Sequence, residues 1–234
     1  MTQLDTPASI RTRTRWWGFW LYAAVSLFHV AALLFGWSAV EYPSKLVLMP
    51  TLALAVIWAL GGTRWAQGGV RWPLGATLLI LALAFSWLGD GAAAFFPFID
   101  ETLIPMLACF GIAHLLYIAL FLRPAARQRV APWTIVYVAW WVGMMVLLWP
   151  YLGGLAIAVA VYGLVLGGTA AASTRGGVLT AVGGAFFLAS DTILSIRLFW
   201  PDPSLFGGGW VMATYTLGQG LLALGIVQLL RRPR

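Results

Sequence analysis

The sequence predicts an all-α polytopic membrane protein with eight transmembrane helices. Of its 234 residues, 62% are hydrophobic and only 9% are charged, and the mean hydropathy is +0.90. A soluble domain of this length needs more polar surface than such a composition provides. The apolar residues occur in runs of about twenty, the length of a helix that crosses the hydrocarbon core of a bilayer. Most basic residues fall between these runs.

Eight apolar runs are candidates for membrane spans. The second is short, and the fifth and sixth are separated only by Pro150, which predicts a tight hairpin there. The boundaries of these three runs can shift by several residues, and the alternative count is seven spans. The predicted spans cover residues 16–37, 44–60, 72–96, 103–122, 131–149, 151–172, 178–200 and 207–230.

The distribution of charge predicts the orientation of these spans. With the N-terminus inside, all but two of the 14 Lys and Arg residues fall on the inner side, and the exceptions are Lys45 and Arg197. Cytoplasmic loops are enriched in basic residues, so both termini are predicted to be cytoplasmic. We expect a mobile cytoplasmic N-terminus (1–15), a single eight-helix domain (16–230) and a cytoplasmic tail (231–234).

Charge and cysteine content exclude other classes. The net charge is +7, but the basic residues are scattered between apolar runs and form no basic face, which argues against nucleic acid as a partner. The single cysteine, Cys109, excludes a disulfide framework and a cysteine metal cluster. The expected location is the bacterial cytoplasmic (inner) membrane. No sequence pattern specifies an oligomeric state.

Two aspartates lie within apolar runs in similar contexts. Asp90 ends Phe85-Ser86-Trp87-Leu88-Gly89-Asp90, and Asp191 ends Phe186-Phe187-Leu188-Ala189-Ser190-Asp191. A carboxylate in hydrocarbon is costly, so two of them indicate ion pairing, proton transfer or acid catalysis. Asp90 precedes His114 by the same number of residues as Asp191 precedes Tyr215. This spacing suggests a parallel 4+4 repeat about an axis along the membrane normal.

Few other side chains within the spans can take part in chemistry. Hydrogen bonding between helices would explain several of them as well as a binding site does. His29 stands alone on the first span and is interpreted as a packed, hydrogen-bonded histidine. The candidates for substrate binding are Ser44, Lys45, His114, Tyr117, Ser190, Arg197, Tyr215 and Gln219.

Several chemistries do not fit this inventory. A zinc site usually needs three or more ligands rich in His, and the chain has two His on distant spans. The G-x-S-x-G motif of serine hydrolases is absent from the sequence. Acid–base chemistry by carboxyl groups remains, with Asp90 and Asp191 as the catalytic candidates and with neither a metal nor another cofactor expected.

Five ordered segments resemble the YhhN-type lysoplasmalogenase family of eight-span membrane proteins. They are Ser44-Lys45-Leu46-Val47-Leu48-Met49-Pro50, Gly89-Asp90, Ala113-His114-Leu115-Leu116-Tyr117, Ala189-Ser190-Asp191-Thr192 and Met212-Ala213-Thr214-Tyr215-Thr216-Leu217-Gly218-Gln219. The resemblance implies hydrolysis of the vinyl ether bond of lysoplasmalogens, which releases a fatty aldehyde and a glycerophospho-alcohol, with Asp90 and Asp191 as an acid–base pair. One position differs, because Leu46 stands where the family commonly has Pro.

The chemistry of this reaction agrees with the residues. Protonation of the vinyl ether carbon gives an oxocarbenium ion, water adds, and the hemiacetal collapses, so one carboxyl must be protonated and another ionised. The expected partners are a lysophospholipid substrate and membrane lipids, with the lipid phosphate near Lys45 or Arg197. Two alternatives stay open, a proton-coupled transporter and a non-catalytic lipid-binding protein.

Overall fold

The computed structural model describes residues 16–61, 73–123, 126, 128–202 and 207–231. Within these ranges the chain forms α-helices and short 3-10 turns, with no β-strand, so the prediction of an all-α protein is confirmed. The expected N-terminal segment, residues 1–15, and residues 232–234 of the expected tail lie outside the described residues.

The described residues form eight long helices, numbered α1 to α8 in chain order. They are α1 (Trp17–Phe35), α2 (Ser38–Gly61), α3 (Leu74–Asp90), α4 (Leu103–Phe121), α5 (Val136–Leu148), α6 (Ala156–Ser173), α7 (Val178–Phe199) and α8 (Gly208–Arg231). When the adjoining 3-10 turns of α5 and α6 are included, 7 of these helices are long and apolar enough to cross a membrane, and α3 is shorter at 17 residues. The chain is therefore an integral multi-pass membrane protein.

Helix α2 begins at Ser38, six residues before the predicted start at Ser44, and it contains Pro43 and Pro50. The predicted span began one residue after the first of these prolines, whereas the structure includes that proline in the helix. Pro50 has no N–H to donate to the carbonyl of Leu46, one helical turn earlier. The indole N–H of Trp87 donates to that carbonyl instead, over 2.9 Å. The helix therefore continues through the proline because a neighbouring helix supplies the missing donor.

Helix α3 ends at Asp90, although the apolar run continues to Phe96. The chain turns at Gly91 and forms a separate four-residue helix, Ala92–Phe95. The ring of Phe95 folds back onto Trp87, with 4.6 Å between ring centroids. A straight helix would separate these two rings, so their packing favours the break. Asp90 consequently lies at a helix end that is covered by the following turn, and it is buried.

The connection between α5 and α6 is a hairpin, as the position of Pro150 predicted. Two 3-10 turns, Trp149–Tyr151 and Gly153–Leu155, join the two helices. Gly153 has a φ of 51°, a left-handed conformation that favours glycine.

Seven helices form a closed ring, in which each helix packs against the next. The order around the ring is α1, α2, α3, α4, α6, α7 and α8, and α8 returns to α1. Helix α8 also contacts α2 and α3 and is the most buried helix, whereas α5 packs mainly against α6 at the outside of the ring. Large apolar side chains cover the outward faces, for example Trp20, Val146 and Ile157. This is the arrangement expected of a bundle surrounded by lipid.

The two ends of the bundle differ. At one end Arg231, the last residue of α8, lies over the ring of Trp16, which precedes α1, at 5.2 Å. At the other end lie the last turns of α3 and α7 and the first turns of α2, α4 and α8. The candidate site is at this second end.

Candidate active site

A cavity of about 310 Å³ opens at the end of the bundle opposite the contact between Trp16 and Arg231. Both Asp90, at the end of α3, and Asp191, on α7, line it. The two carboxyl groups therefore face one cavity, although 101 positions separate them in the sequence. Both residues are nevertheless buried, with 6% and 8% of their surface exposed.

Asp90 has one cationic and one hydroxyl partner. The Nζ of Lys45, on α2, lies 3.6 Å from Asp90 Oδ1. The hydroxyl of Tyr215, on α8, donates to Asp90 Oδ2 over 2.7 Å. The Lys45 side chain is 28% exposed and also lines the cavity. The Lys45 ammonium and the Tyr215 hydroxyl, on two different helices, thus hold this carboxyl group in place.

Asp191 is held by hydroxyl groups. Tyr162, on α6, donates to Asp191 Oδ2, and the Oγ of the adjacent Ser190 lies 3.4 Å from Asp191 Oδ1. The Nε2 of His114 is 3.3 Å from the Tyr162 oxygen and 3.9 Å from Asp191 Oδ2. The Tyr162 hydroxyl uses its hydrogen in the bond to Asp191, so its oxygen can only accept from His114. His114 therefore donates from Nε2 to the Tyr162 oxygen. The result is a buried chain of three groups that fixes one oxygen of Asp191.

The two aspartates exchange the partners that sequence spacing assigns to them. In the sequence, Asp90 precedes His114 and Asp191 precedes Tyr215 by the same number of residues. In the structure, Asp90 accepts a hydrogen bond from Tyr215, and Asp191 lies beside His114. The first half of the chain therefore supplies an orienting residue to the carboxyl group of the second half, and the second half does the same in return.

A cluster of aromatic rings packs between His114 and Tyr215. The fully buried ring of Phe187 packs edge-on against Tyr215 at 5.5 Å and against His114 at 4.7 Å between centroids. Phe110 packs against both Phe187 and Tyr215. Edge-to-face contacts of this kind restrict ring orientation, so the phenol and the imidazole are held in place before any ligand binds.

A second polar chain lies behind the cavity wall. Tyr117 donates to Gln219 Oε1 over 2.6 Å, and Gln219 Nε2 donates to Ser86 Oγ over 3.0 Å. Tyr117 and Gln219 are fully buried and do not line the cavity. These hydrogen bonds join α4, α8 and α3 at Ser86, one helical turn before Asp90. These groups hold the helices together and do not face the cavity.

The structure divides the predicted site residues into two groups. Six line the cavity, and the other four are buried behind its wall. The lining residues are Lys45, Asp90, Ser190, Asp191, Arg197 and Tyr215. Those behind the wall are Ser44, His114, Tyr117 and Gln219.

Tyr162 and His29 line the cavity although neither was among the predicted site residues. Tyr162 lies in a run of small apolar residues and carries no recognisable motif. His29 was interpreted as a packed histidine, and it is buried, but it also lines the cavity. The only signal for His29 was a titratable side chain within the first apolar run.

The mouth of the cavity carries charges of both signs. Arg197, near the end of α7, and Glu41, in the first turn of α2, line the cavity together with Lys45. The Arg197 guanidinium lies over Gly208, where a Cβ would be 2.8 Å from Nη1. The rest of the wall is largely apolar and includes Leu33, Met106 and Phe110. Such a cavity suits an amphipathic ligand with an anionic group.

Within the described residues, no group of three or more His, Cys, Asp or Glu side chains is arranged to hold a metal ion. Asp90 has a cation as a neighbour and Asp191 has hydroxyl donors, as described above. The donor set therefore fits proton transfer better than metal coordination.

The fold and the cavity define a helical integral membrane protein with two carboxyl groups in one partly apolar pocket. A family model described as the YhhN family matches residues 40–226. The chain belongs to the YhhN family, as the motifs predicted. Comparison with curated proteins and with solved structures found no match.

Proposed function

We propose that the protein is a membrane-embedded hydrolase that cleaves the vinyl ether bond of lysoplasmalogen-like lysophospholipids. The observation that carries the proposal is the meeting of Asp90 and Asp191 in one cavity. Membership of the YhhN family is compatible with it. The products are a fatty aldehyde and a glycerophospho-alcohol.

The reaction needs one proton donor and one carboxylate. In the proposed mechanism Asp191 protonates the alkenyl carbon, which generates an oxocarbenium ion. Asp90 accepts a proton from water as the water oxygen adds to that ion. As the hemiacetal breaks its bond to the glycerol oxygen, Asp90 returns its proton to that oxygen and Asp191 takes the proton of the hemiacetal hydroxyl group, so both carboxyl groups regain their starting states. Two carboxyl groups with different neighbours are suited to this division of labour.

The partners of each carboxyl group support this assignment. Lys45 lies 3.6 Å from Asp90 and compensates a negative charge there. The groups that contact Asp191 are hydroxyls and an imidazole rather than an ammonium or a guanidinium. Asp90 is therefore proposed as the ionised member, because Lys45 compensates its charge, and Asp191 as the acid, with its proton on Oδ1 because Oδ2 accepts from Tyr162.

The shape and charge of the cavity agree with a lysolipid substrate. Arg197 is six residues, roughly 9 Å along the helix axis, beyond Asp191 towards the end of α7. A phosphate bound at Arg197 would place the sn-1 linkage close to the carboxyl groups. The hydrocarbon chain would lie along the apolar wall formed by residues such as Met106 and Phe110.

We also propose that the chain crosses the bacterial cytoplasmic membrane eight times, as a single domain over residues 16–230, with both termini in the cytoplasm. The contact between Trp16 and Arg231 joins the start of α1 to the end of α8, which agrees with an even number of spans. The exchange of partners between Asp90 and Asp191 agrees with a parallel 4+4 repeat. The 17-residue helix α3 is then the eighth span.

The decisive experiment measures aldehyde release from a lysoplasmalogen by the purified protein in detergent. Asp90→Asn and Asp191→Asn each remove one ionisable group with little change in shape, and each should abolish turnover. Asp100→Asn is the matched control, because Asp100 is exposed and does not line the cavity. Wild-type turnover in both site variants would refute the assignment. Proton-driven uptake into vesicles without aldehyde would instead indicate a transporter.

A further inference from the structure

His29 has one ring nitrogen without a partner. The residue lies on α1, is 1% exposed and lines the same cavity as the two aspartates. Its Nδ1 is 2.7 Å from Ser44 Oγ. Its Nε2 is buried and makes no hydrogen bond within the described residues. Buried polar groups are rarely left in this state, so the nitrogen indicates a missing ligand group.

The chemistry of Ser44 limits what that group can be. Ser44 has a single hydroxyl proton and two acceptors in reach, His29 Nδ1 and the Glu41 carbonyl oxygen at 3.0 Å. If the proton goes to Glu41, His29 donates from Nδ1 and Nε2 is an acceptor. If it goes to His29, Nε2 carries a hydrogen and is a donor. A hydroxyl group satisfies either tautomer, because it both donates and accepts.

The position of His29 identifies which hydroxyl group. Ser44, its partner, directly precedes Lys45, whose ammonium contacts Asp90. His29 therefore lies on the same cavity wall as the contact between Lys45 and Asp90. In a lysophospholipid the glycerol carbon that separates the phosphate arm from the sn-1 linkage carries a free hydroxyl group. In a diacyl lipid the same carbon carries a bulky ester without a donor.

We propose that His29 Nε2 binds the free sn-2 hydroxyl group of the lysolipid and thereby selects lysolipids over lipids with two chains. This proposal rests on the proposed function, since it assumes a lysolipid in the cavity. His29 is a specificity-determining residue and takes no part in proton transfer to the alkenyl carbon.

The test measures binding, so that it does not depend on cleavage. One ligand is a 1-O-alkyl lysophospholipid, which has the free hydroxyl but no vinyl ether. The other is the same lipid built on propanediol, which lacks only the hydroxyl. Wild-type protein should bind the first about tenfold more tightly, the effect of one buried hydrogen bond. Equal affinities for the two lipids would overturn the proposal.

Two variants separate recognition from packing. The amide of His29→Asn reaches only as far as Nδ1, so this variant can keep the contact with Ser44 but should lose the preference. The amide of His29→Gln reaches about as far as Nε2 and should retain it. If Asn keeps the tenfold preference, or weakens both ligands equally, His29 has only a structural role. If the Asn variant does not fold, the wild-type and Gln measurements decide, and a Gln variant without preference counts against the proposal.

The two proposals fail in different ways. Absence of aldehyde release from a vinyl ether substrate, together with the expected binding preference, would reject hydrolysis and retain His29 as a lysolipid contact. Aldehyde release by protein that binds both alkyl lipids equally would retain hydrolysis and reject the role of His29.

Discussion

Helices α7 and α8 approach so closely that their backbones touch, and an alanine at Gly183 should push them apart. Its Cβ would lie 2.7 Å from the backbone nitrogen of Leu222 and 3.0 Å from the carbonyl oxygen of Gly218. Neither backbone atom can rotate away, so the helices must separate by roughly 1 Å to reach ordinary contact distances. Overpacking of this kind costs about 1–3 kcal/mol of stability.

The matched control is Gly111→Ala, inside α4. A Cβ at Gly111 meets no atom within 4 Å. Both substitutions gain about 1 kcal/mol of helix propensity, so the difference between the two variants measures the strain alone. Thermal unfolding of the purified protein, followed by the fluorescence of its 14 Trp residues, should place Gly183→Ala below Gly111→Ala.

Activity should fall together with stability. Asp191 lies on α7 and Tyr215 on α8, so a displacement of about 1 Å changes the spacing of groups on the cavity wall and should lower the rate of aldehyde release by roughly 10- to 100-fold. Because a Cβ at Gly218 would fill the same contact from the other side, the double substitution should cost less than the sum of the two single ones. A Gly183→Ala protein as stable and as active as Gly111→Ala would show that the backbones are not in contact.

Three further predictions concern the polar groups of the cavity. Tyr215→Phe removes the 2.7 Å donor to Asp90 and should lower kcat by about 10- to 100-fold, the effect of one hydrogen bond to a charged group; an unchanged kcat argues against the catalytic role of this contact. Lys45→Met should lower kcat/KM by about tenfold, a modest effect because the Lys45 side chain is 28% exposed and water screens the pair, and full activity would remove Lys45 from the mechanism. Chelators should leave aldehyde release unchanged, since the proposed chemistry uses carboxyl groups, whereas activity that is lost with chelator and restored by zinc would reject it.

Hydropathy and charge were sufficient to predict much of this protein. The apolar runs predicted the helices because a membrane span must satisfy its backbone internally and present apolar side chains outward. The cost of a carboxylate in hydrocarbon singled out Asp90 and Asp191, and both line the cavity.

The pairing of side chains was beyond sequence reasoning. Spacing along the chain associated Asp90 with His114, whereas the ring of helices brings Tyr215 to Asp90 and Tyr162 to Asp191. Contacts between distant helices depend on which faces meet, and hydropathy does not encode this in helices that are apolar on all sides. The break at Gly91 was missed for a related reason, because Phe95 folds back onto Trp87 within a stretch that is apolar throughout.

The proline in the middle of α2 has a consequence for the geometry of the cavity. In an intact membrane helix the backbone carbonyl groups accept hydrogen bonds within the helix. Few of them are left to accept a hydrogen bond from a neighbouring helix and so to fix the relative axial position of the two helices. Pro50 releases the carbonyl of Leu46, and the Trp87 indole occupies it. This contact pins the axial register of α2 and α3 one residue from Lys45 and three residues from Asp90. The ammonium and the carboxyl group should therefore keep their separation in bilayers of different thickness.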